Sequence, residues 1–166
     1  MNTSMKRLEI AVNISLLCAF IMVAALAGQR FWSARTNART ASPEIGTKVS
    51  LAGADWSKSD RNLVLALSTT CHFCSESAPF YKELVHDAAE RGIQIIAVLP
   101  QAQSESRSYL DGLGIHVQNI FQSSLDSVEA KATPTLLIID KNGAISKAWV
   151  GKLGSQREEQ VIASLQ

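Results

Sequence analysis

Two cysteines three positions apart, Cys71 and Cys74, stand where one hydrophobic period gives way to another. Before them, Asn62-Leu-Val-Leu-Ala-Leu-Ser68 is short, apolar and preceded by the polar stretch 58–61, the pattern of a buried strand. After them, from Ser75 to Arg91, Tyr81, Leu84, Val85 and Ala88 fall at i, i+3, i+4 and i+7, one stripe of an amphipathic helix. Gly92 suits the left-handed residue that ends such a helix. The cysteines are therefore expected at a strand-to-helix junction, where free backbone N–H groups favour an anion. A thiolate is such an anion, and a cysteine placed there is a better nucleophile near neutrality. Cys71, nearest the exposed helix start, is the candidate nucleophile, and Cys74 the candidate resolving thiol. Two structural cysteines or half a zinc site is the competing reading. A closed zinc site wants four ligands, and the chain has no second cysteine pair and only three scattered histidines.

The block Cys71-His-Phe-Cys-Ser-Glu-Ser-Ala-Pro79 resembles the active site of the thioredoxin superfamily, in which a proline five positions after the second cysteine kinks the helix. Ala132-Thr133-Pro134-Thr135-Leu-Leu-Ile-Ile-Asp140 is similar to the segment where a cis-proline faces the cysteines and opens a central strand. Asp140-Lys-Asn-Gly143, followed by 144–151, resembles the hairpin of the membrane-anchored TlpA/ResA branch of thiol–disulfide oxidoreductases, a redoxin branch. The resemblance covers residues 44–166. It implies an α/β fold, a thioredoxin-like mixed sheet flanked by helices. It also implies substrate contact at Thr133 and Pro134, a structural role for Pro79 at the site, and a cis bond before Pro134. Three positions depart from the pattern. Leu65 stands where the superfamily often buries an acid, Glu76 is one residue short of the branch's glutamate, and Thr70 replaces the usual aromatic before the first cysteine.

The rest of the chain divides by charge and hydropathy. Residues 1–40 carry Lys6, Arg7, Arg30, Arg35 and Arg39 against Glu9 alone, and the remainder is mildly acidic. That distribution suits a membrane-flanking N-terminus and offers no footprint for nucleic acid. Residues 1–9 read as a cytoplasmic tail, 10–29 as a transmembrane anchor or signal segment, and 30–43 as a polar tether. From Ile10 to Gly28 the run is uncharged, interrupted only by Asn13 and Ser15. As a helix it would extend about 28 Å, close to the hydrocarbon thickness. Its length favours an uncleaved anchor, while Lys6, Arg7 and Ala25-Leu26-Ala27 also fit a cleavable signal peptide. Cys18, inside this run, reads as a small apolar residue.

Within 44–166, the stretch 46–53 suggests an early strand or hairpin arm, and Trp56 a turn residue folded over the core. Ile93–Leu99 reads as a second buried strand, parallel to the first because a helix connects them. A helix from Ser104 to Leu113, a strand over Ile115–Phe121 and a helical turn over Leu125–Lys131 follow. Lys-Asn-Gly then joins strands 135–140 and 144–150, since Asn and Gly tolerate positive φ. Ser155 and Glu158 are spaced as a capping box for a last helix through Leu165.

These residues lead to a thiol–disulfide oxidoreductase that works through Cys71 and Cys74 with no bound cofactor. His72 either stabilises the Cys71 thiolate as imidazolium or is an exposed spacer. Glu76 and Glu83 read as solvated helix-face charges, His86 and His116 as surface residues, and Phe80, Phe121 and Trp149 as core or rim. The resemblance implies protein thiol or disulfide substrates, a membrane electron donor, and a single-pass location in the bacterial cytoplasmic membrane with the domain outside, for example in cytochrome c maturation. Two alternatives remain at this point. Ser68-x-x-Cys71 matches part of a peroxiredoxin loop, with Val64 where its proline belongs. Soft thiolates also suit a copper(I) carrier using Cys71, Cys74 and His116.

Overall fold

The computed structural model describes residues 16–17, 20–26 and 42–166. The chain divides into two compact units, Met1–Thr40 and Ala41–Gln166. In the first unit, residues 16–17 and 20–26 are helical, with Leu16, Leu17, Phe20, Ile21, Met22, Val23 and Leu26 all exposed. The rest of segment 10–29, Cys18, the tail 1–9 and nearly all of the tether lie outside the described residues. Among the described residues no helix is long and apolar enough to cross a membrane.

The second unit is built on a five-stranded sheet. Its strands are β1 (Arg61–Ala66), β2 (Gln94–Leu99), β3 (Asn119–Gln122), β4 (Thr135–Asp140) and β5 (Ile145–Val150), in the spatial order β3-β2-β1-β4-β5. β1 runs parallel to β2 and antiparallel to β4, β2 is parallel to β3, and β4 pairs antiparallel with β5. The helices are α1 (His72–Glu76), α2 (Ala78–Glu90), α3 (Gln103–Gly112) and α4 (Ser155–Ala163).

The apolar runs of β1, β2 and β4 are continuous because both faces of the sheet are covered, and alternate residues go to different cores. Leu63, Leu65, Ala97, Leu99, Leu136 and Ile138 pack with Tyr81, Leu84, Val85 and Ala88 of α2, Leu110 of α3 and Val161 of α4. Val64, Ala66, Ile96, Val98, Leu137 and Ile139 pack instead with Leu51, Val128 and Ala130, helped by Trp56 and Phe121. Helices therefore line one face, and non-helical segments with 3-10 turns at Trp56–Lys58 and Leu125–Val128 line the other. The predicted stripe of α2 is buried throughout. Each such side chain removed from water contributes roughly 1.5–3 kcal/mol for a residue of leucine size. Gly92, at φ +66°, ends α2 by donating to the Ala89 carbonyl at 3.0 Å while Ile93 N–H reaches Ala88 at 3.0 Å.

Several expectations need correction. Segment 46–53 is no regular strand but a short arm along 143–145, with an isolated antiparallel bridge between Lys48 and Ala144 flanked by bonds from Gly46 N–H to the Ile145 carbonyl at 2.8 Å, Ile145 N–H to Thr47 at 2.9 Å and Val49 N–H to Gly143 at 2.9 Å. The helix after the cysteines is not continuous, since α1 stops at Glu76 and α2 restarts at Ala78, with Ser77 between and Pro79 in its first turn. Proline lacks the N–H that a continuous helix would need there. The third strand is shorter than the predicted 115–121, starting only at Asn119. The capping box at Ser155 does not form: Gly154 is the N-cap and no side chain bonds the first turn. The β4–β5 turn is held by Asp140, whose Oδ1 accepts the N–H of Asn142 at 2.8 Å and of Ala144 at 2.9 Å. Only Gly143 there has positive φ, +79°, and a Cβ on it would meet Trp56 at 3.0 Å. Trp56 thus covers the turn as well as the second core.

Candidate redox site

Strand β1 ends at Ala66 and the chain turns through 67–70 to deliver Cys71 at the start of α1. Three ties shape this turn. Leu67 N–H continues the ladder to Val98 at 3.0 Å, Cys71 N–H bonds the Ser68 carbonyl at 3.1 Å, and Gln101 Nε2 donates to Ser68 Oγ at 3.0 Å. Thr69 Oγ1 donates to Glu105 Oε1 at 2.8 Å, so α3 also holds the loop.

Cys71 and Cys74 form a disulfide with Cα atoms 5.3 Å apart. Cys71 is partly exposed and Cys74 is buried, at 1%. Cys71 is also the N-cap of α1, its Sγ accepting the Cys74 N–H at 3.2 Å. A hydroxyl or carboxylate commonly does this at helix starts; here the sulfur does. Because α1 is a separate five-residue helix, the local N–H bond supports negative charge on Cys71 more than the dipole of a long helix would. Phe73, between the cysteines, is more than half exposed.

The register brings the proline loop to the same end of the sheet as the cysteines, because Ala66 at the end of β1 pairs with Thr135 at the start of β4. The Thr133–Pro134 bond is cis. The Pro134 carbonyl accepts Gly151 N–H at 2.8 Å, which fixes it to the end of β5. Pro79 lies in the first turn of α2. Leu65 is fully buried, so β1 offers no acid beneath Cys74. His72 is strongly exposed, with Nε2 3.1 Å from Glu76 Oε1. Glu76 is not simply solvated: its Oε2 accepts a hydrogen bond from Lys152 Nζ at 2.9 Å. That bond holds the Glu76 carboxyl below the usual range against the opposing effect of desolvation, with further help from the charge of Lys152 and from His72. Burial pushes Tyr81, behind α1, up to about 12, so its hydroxyl stays neutral.

His116 does not join the site. It precedes β3 and lines a groove with Gln94 and Ile95, where β2 begins, whereas Cys71 follows the far end of β1. Its Nδ1 faces Asp111 at 3.6 Å. Two elements at opposite ends of parallel strands cannot share one metal ion, so the three-ligand copper arrangement fails on geometry. Among the described residues no three Cys, His, Asp or Glu side chains converge as a metal site. His86, paired with Glu90, is a surface residue; Phe80 and Trp149 are buried.

Gln101, Glu105, Tyr109 and Lys152 were not singled out from the sequence, yet all reach the cysteine loop or α1. Tyr109 OH lies 3.0 Å from Ser75 Oγ. The available signal for Gln101 and Glu105 was position: they follow the C-terminal end of a parallel strand, where open α/β sheets gather their functional side chains.

No protein-family profile matches the chain, and no curated protein matches it in sequence. Solved structures do match in shape. A thiol:disulfide interchange protein of the thioredoxin family from Chlorobium tepidum TLS is 17% identical with a TM-score of 0.54, over 75% of this chain and 96% of that one. StoA from Bacillus subtilis is 14% identical with a TM-score of 0.54, over 76% and 99%. The thioredoxin domain of a thiol-disulfide oxidoreductase from Bacteroides vulgatus is 15% identical with a TM-score of 0.53, over 76% and 99%. At these identities the likeness is one of architecture, and it agrees with the mixed sheet flanked by helices: the chain has the thioredoxin fold.

Proposed function

We propose that residues 44–166 act as a thiol–disulfide oxidoreductase that reduces or exchanges disulfides in exported proteins. The observation that carries this reading is the asymmetry of the cysteine pair. Cys71 is reachable and its sulfur already accepts an N–H bond, whereas Cys74 is buried within disulfide reach of it. In the reducing direction the Cys71 thiolate attacks one sulfur of a substrate disulfide. A mixed disulfide forms and one substrate thiolate leaves. Cys74 then loses its proton and attacks Cys71 Sγ, which closes the Cys71–Cys74 disulfide and expels the second substrate thiolate, the acceptor of a proton. Two electrons pass to the substrate, and an external dithiol must return them. No cofactor takes part. Thr133 and Pro134 would contact the substrate chain beside the pair.

Location belongs to the same proposal. Disulfides that need such an enzyme persist outside the cytoplasm, and the apolar run within residues 10–29 is flanked by cations as an anchor would be. The exposed apolar helix at 20–26 supports this placement. Resemblance to the TlpA/ResA branch favours a membrane electron donor and substrates such as apocytochromes awaiting haem. The Chlorobium and Bacteroides proteins of similar architecture, a thiol:disulfide interchange protein and a thiol-disulfide oxidoreductase, support the same chemistry. For the peroxidase alternative, the geometry offers no advantage: Ser68 is engaged by Gln101 and Thr70, and Val64 is buried in β1.

The test is reduction of insulin disulfides by the full chain with dithiothreitol as electron source. Acceleration over dithiothreitol alone that is lost in Cys71→Ser supports the reading. Acceleration of peroxide consumption without insulin reduction would replace it. A phosphatase fused after Gln166 should be active; silence there would put the domain in the cytosol.

A further inference from the structure

Lys152 occupies a position the redox chemistry above does not use. Its neighbour Gly151 donates to the carbonyl of Pro134 at 2.8 Å, and its own ammonium donates to Glu76 Oε2 at 2.9 Å. One dipeptide thus grips both halves of the site, the proline loop through backbone and α1 through a side chain. Glu76 passes the tie on: its other oxygen lies 3.1 Å from His72 Nε2, and His72 adjoins Cys71. The strap borders a groove lined also by Ser77, Pro79, Glu83 and Glu158, so Lys152 is the one cation among three carboxylates on that wall.

We propose that Lys152 is a positioning residue of the redox site, tying the last residue of α1 to the segment after β5 and offsetting the negative charge that Glu76 brings to the helix capped by Cys71. This rests on the oxidoreductase reading and adds to it a control on the poise of the pair. The sign follows from elementary electrostatics. An uncompensated carboxylate on the five-residue helix that Cys71 caps disfavours the thiolate, and so disfavours the reduced form relative to the disulfide. Loss of Lys152 therefore lowers the potential, loss of Glu76 raises it, and Lys152 has little to act on once Glu76 is gone. Both groups are partly solvated, with side-chain exposures of 49% and 36%, which keeps the effect small. Exposed pairs of this kind change an equilibrium constant by about two- to five-fold. For a two-electron couple that is about 10 to 20 mV.

The experiment equilibrates the full chain with glutathione buffers and reads the reduced fraction by thiol alkylation and mass. The set is wild type, Lys152→Met, Lys152→Arg, Glu76→Gln and Lys152→Met/Glu76→Gln. The expected result is a two- to five-fold shift toward the disulfide in Lys152→Met, retention of wild-type poise in Lys152→Arg, a shift toward the dithiol in Glu76→Gln, and no further change when Lys152→Met is added to Glu76→Gln. An unchanged Lys152→Met, or the same shift with and without Glu76, overturns the positioning role while leaving the oxidoreductase intact. Failure of the wild-type pair to exchange with glutathione at all overturns the oxidoreductase reading, and the positioning role with it.

Discussion

Two helices of this domain begin on different terms. At α1 the N-cap is Cys71, whose sulfur takes the Cys74 N–H. At α4 the N-cap is Gly154, which brings no side chain, and only its carbonyl receives Arg157 and Glu158, at 2.8 and 3.1 Å. The contrast follows from solvent. Ser155 and Gln156 are exposed, so their free N–H groups reach water and need no cap. Cys74 is buried, and its N–H finds its partners inside the protein, shared between the Cys71 carbonyl at 3.1 Å and the Cys71 sulfur at 3.2 Å. The capping atom at α1 is also the reactive atom, so chemistry and local structure can be separated there by substitution.

The largest expected effect breaks that link. Cys71→Ser keeps an oxygen that can cap α1 but removes the nucleophile, so disulfide reductase activity should fall to the uncatalysed background while circular dichroism stays native. Residual activity well above background would move the attack to another sulfur. Next, under reducing conditions, Cys71→Ala should be less stable than Cys71→Ser by about 1 kcal/mol in urea unfolding, the usual value of an N-cap. Equal stabilities would show that the sulfur–N–H contact carries no structural weight.

A third prediction concerns Asp140, another single acceptor that serves two N–H groups. The Ala144 N–H holds its carboxyl below the ordinary 3.8 against the opposing effect of desolvation, with further help from Asn142. A lowered folded value means the contribution is complete above the unfolded pKa and disappears as pH falls through the folded one. Thermal stability should therefore drop on acidification below about pH 4, and drop less in Asp140→Asn, which keeps an acceptor oxygen but cannot titrate there. Identical acid profiles would contradict the role given to this carboxylate. The smallest effect belongs to α4. Ser155→Ala and Glu158→Gln should each change stability by less than about 0.5 kcal/mol; a loss near 1 kcal/mol would mean the capping box forms in solution.

What the sequence made legible was what repeats. The apolar run Leu63–Leu67, the stripe Tyr81-Leu84-Val85-Ala88 and the strand–turn–strand spacing of β4 and β5 are local patterns, and each lies where expected. The cysteine pair was legible as a local motif. Polar ties across the fold leave no period. Lys152 and Glu76 stand 76 positions apart, and Thr69 and Glu105 stand 36 apart, so only the folded chain brings them together. Local readings also failed where two residues competed for one task. Asn142 and Gly143 look sufficient for the hairpin, yet Asp140 ties it; Ser155 looks like a cap, yet Gly154 takes the position. Residues 46–53 alternate like a strand but pair over only a few residues with the 143–145 segment, and pattern alone cannot count available partners.

The division of labour between Cys71 and Cys74 is the central claim, and a trapping measurement tests it most directly. Cys74→Ser and Cys71→Ser, each reduced and then mixed with a protein disulfide, are analysed by intact mass without reductant. The expected result is a mixed disulfide that accumulates at Cys71 in Cys74→Ser, assigned by peptide mapping so that Cys18 is counted separately, and released by added dithiothreitol, and none at Cys74 in Cys71→Ser, where that thiol is buried. Accumulation only in Cys71→Ser would reverse the two roles, and no adduct in either variant would contradict the thiol–disulfide exchange itself.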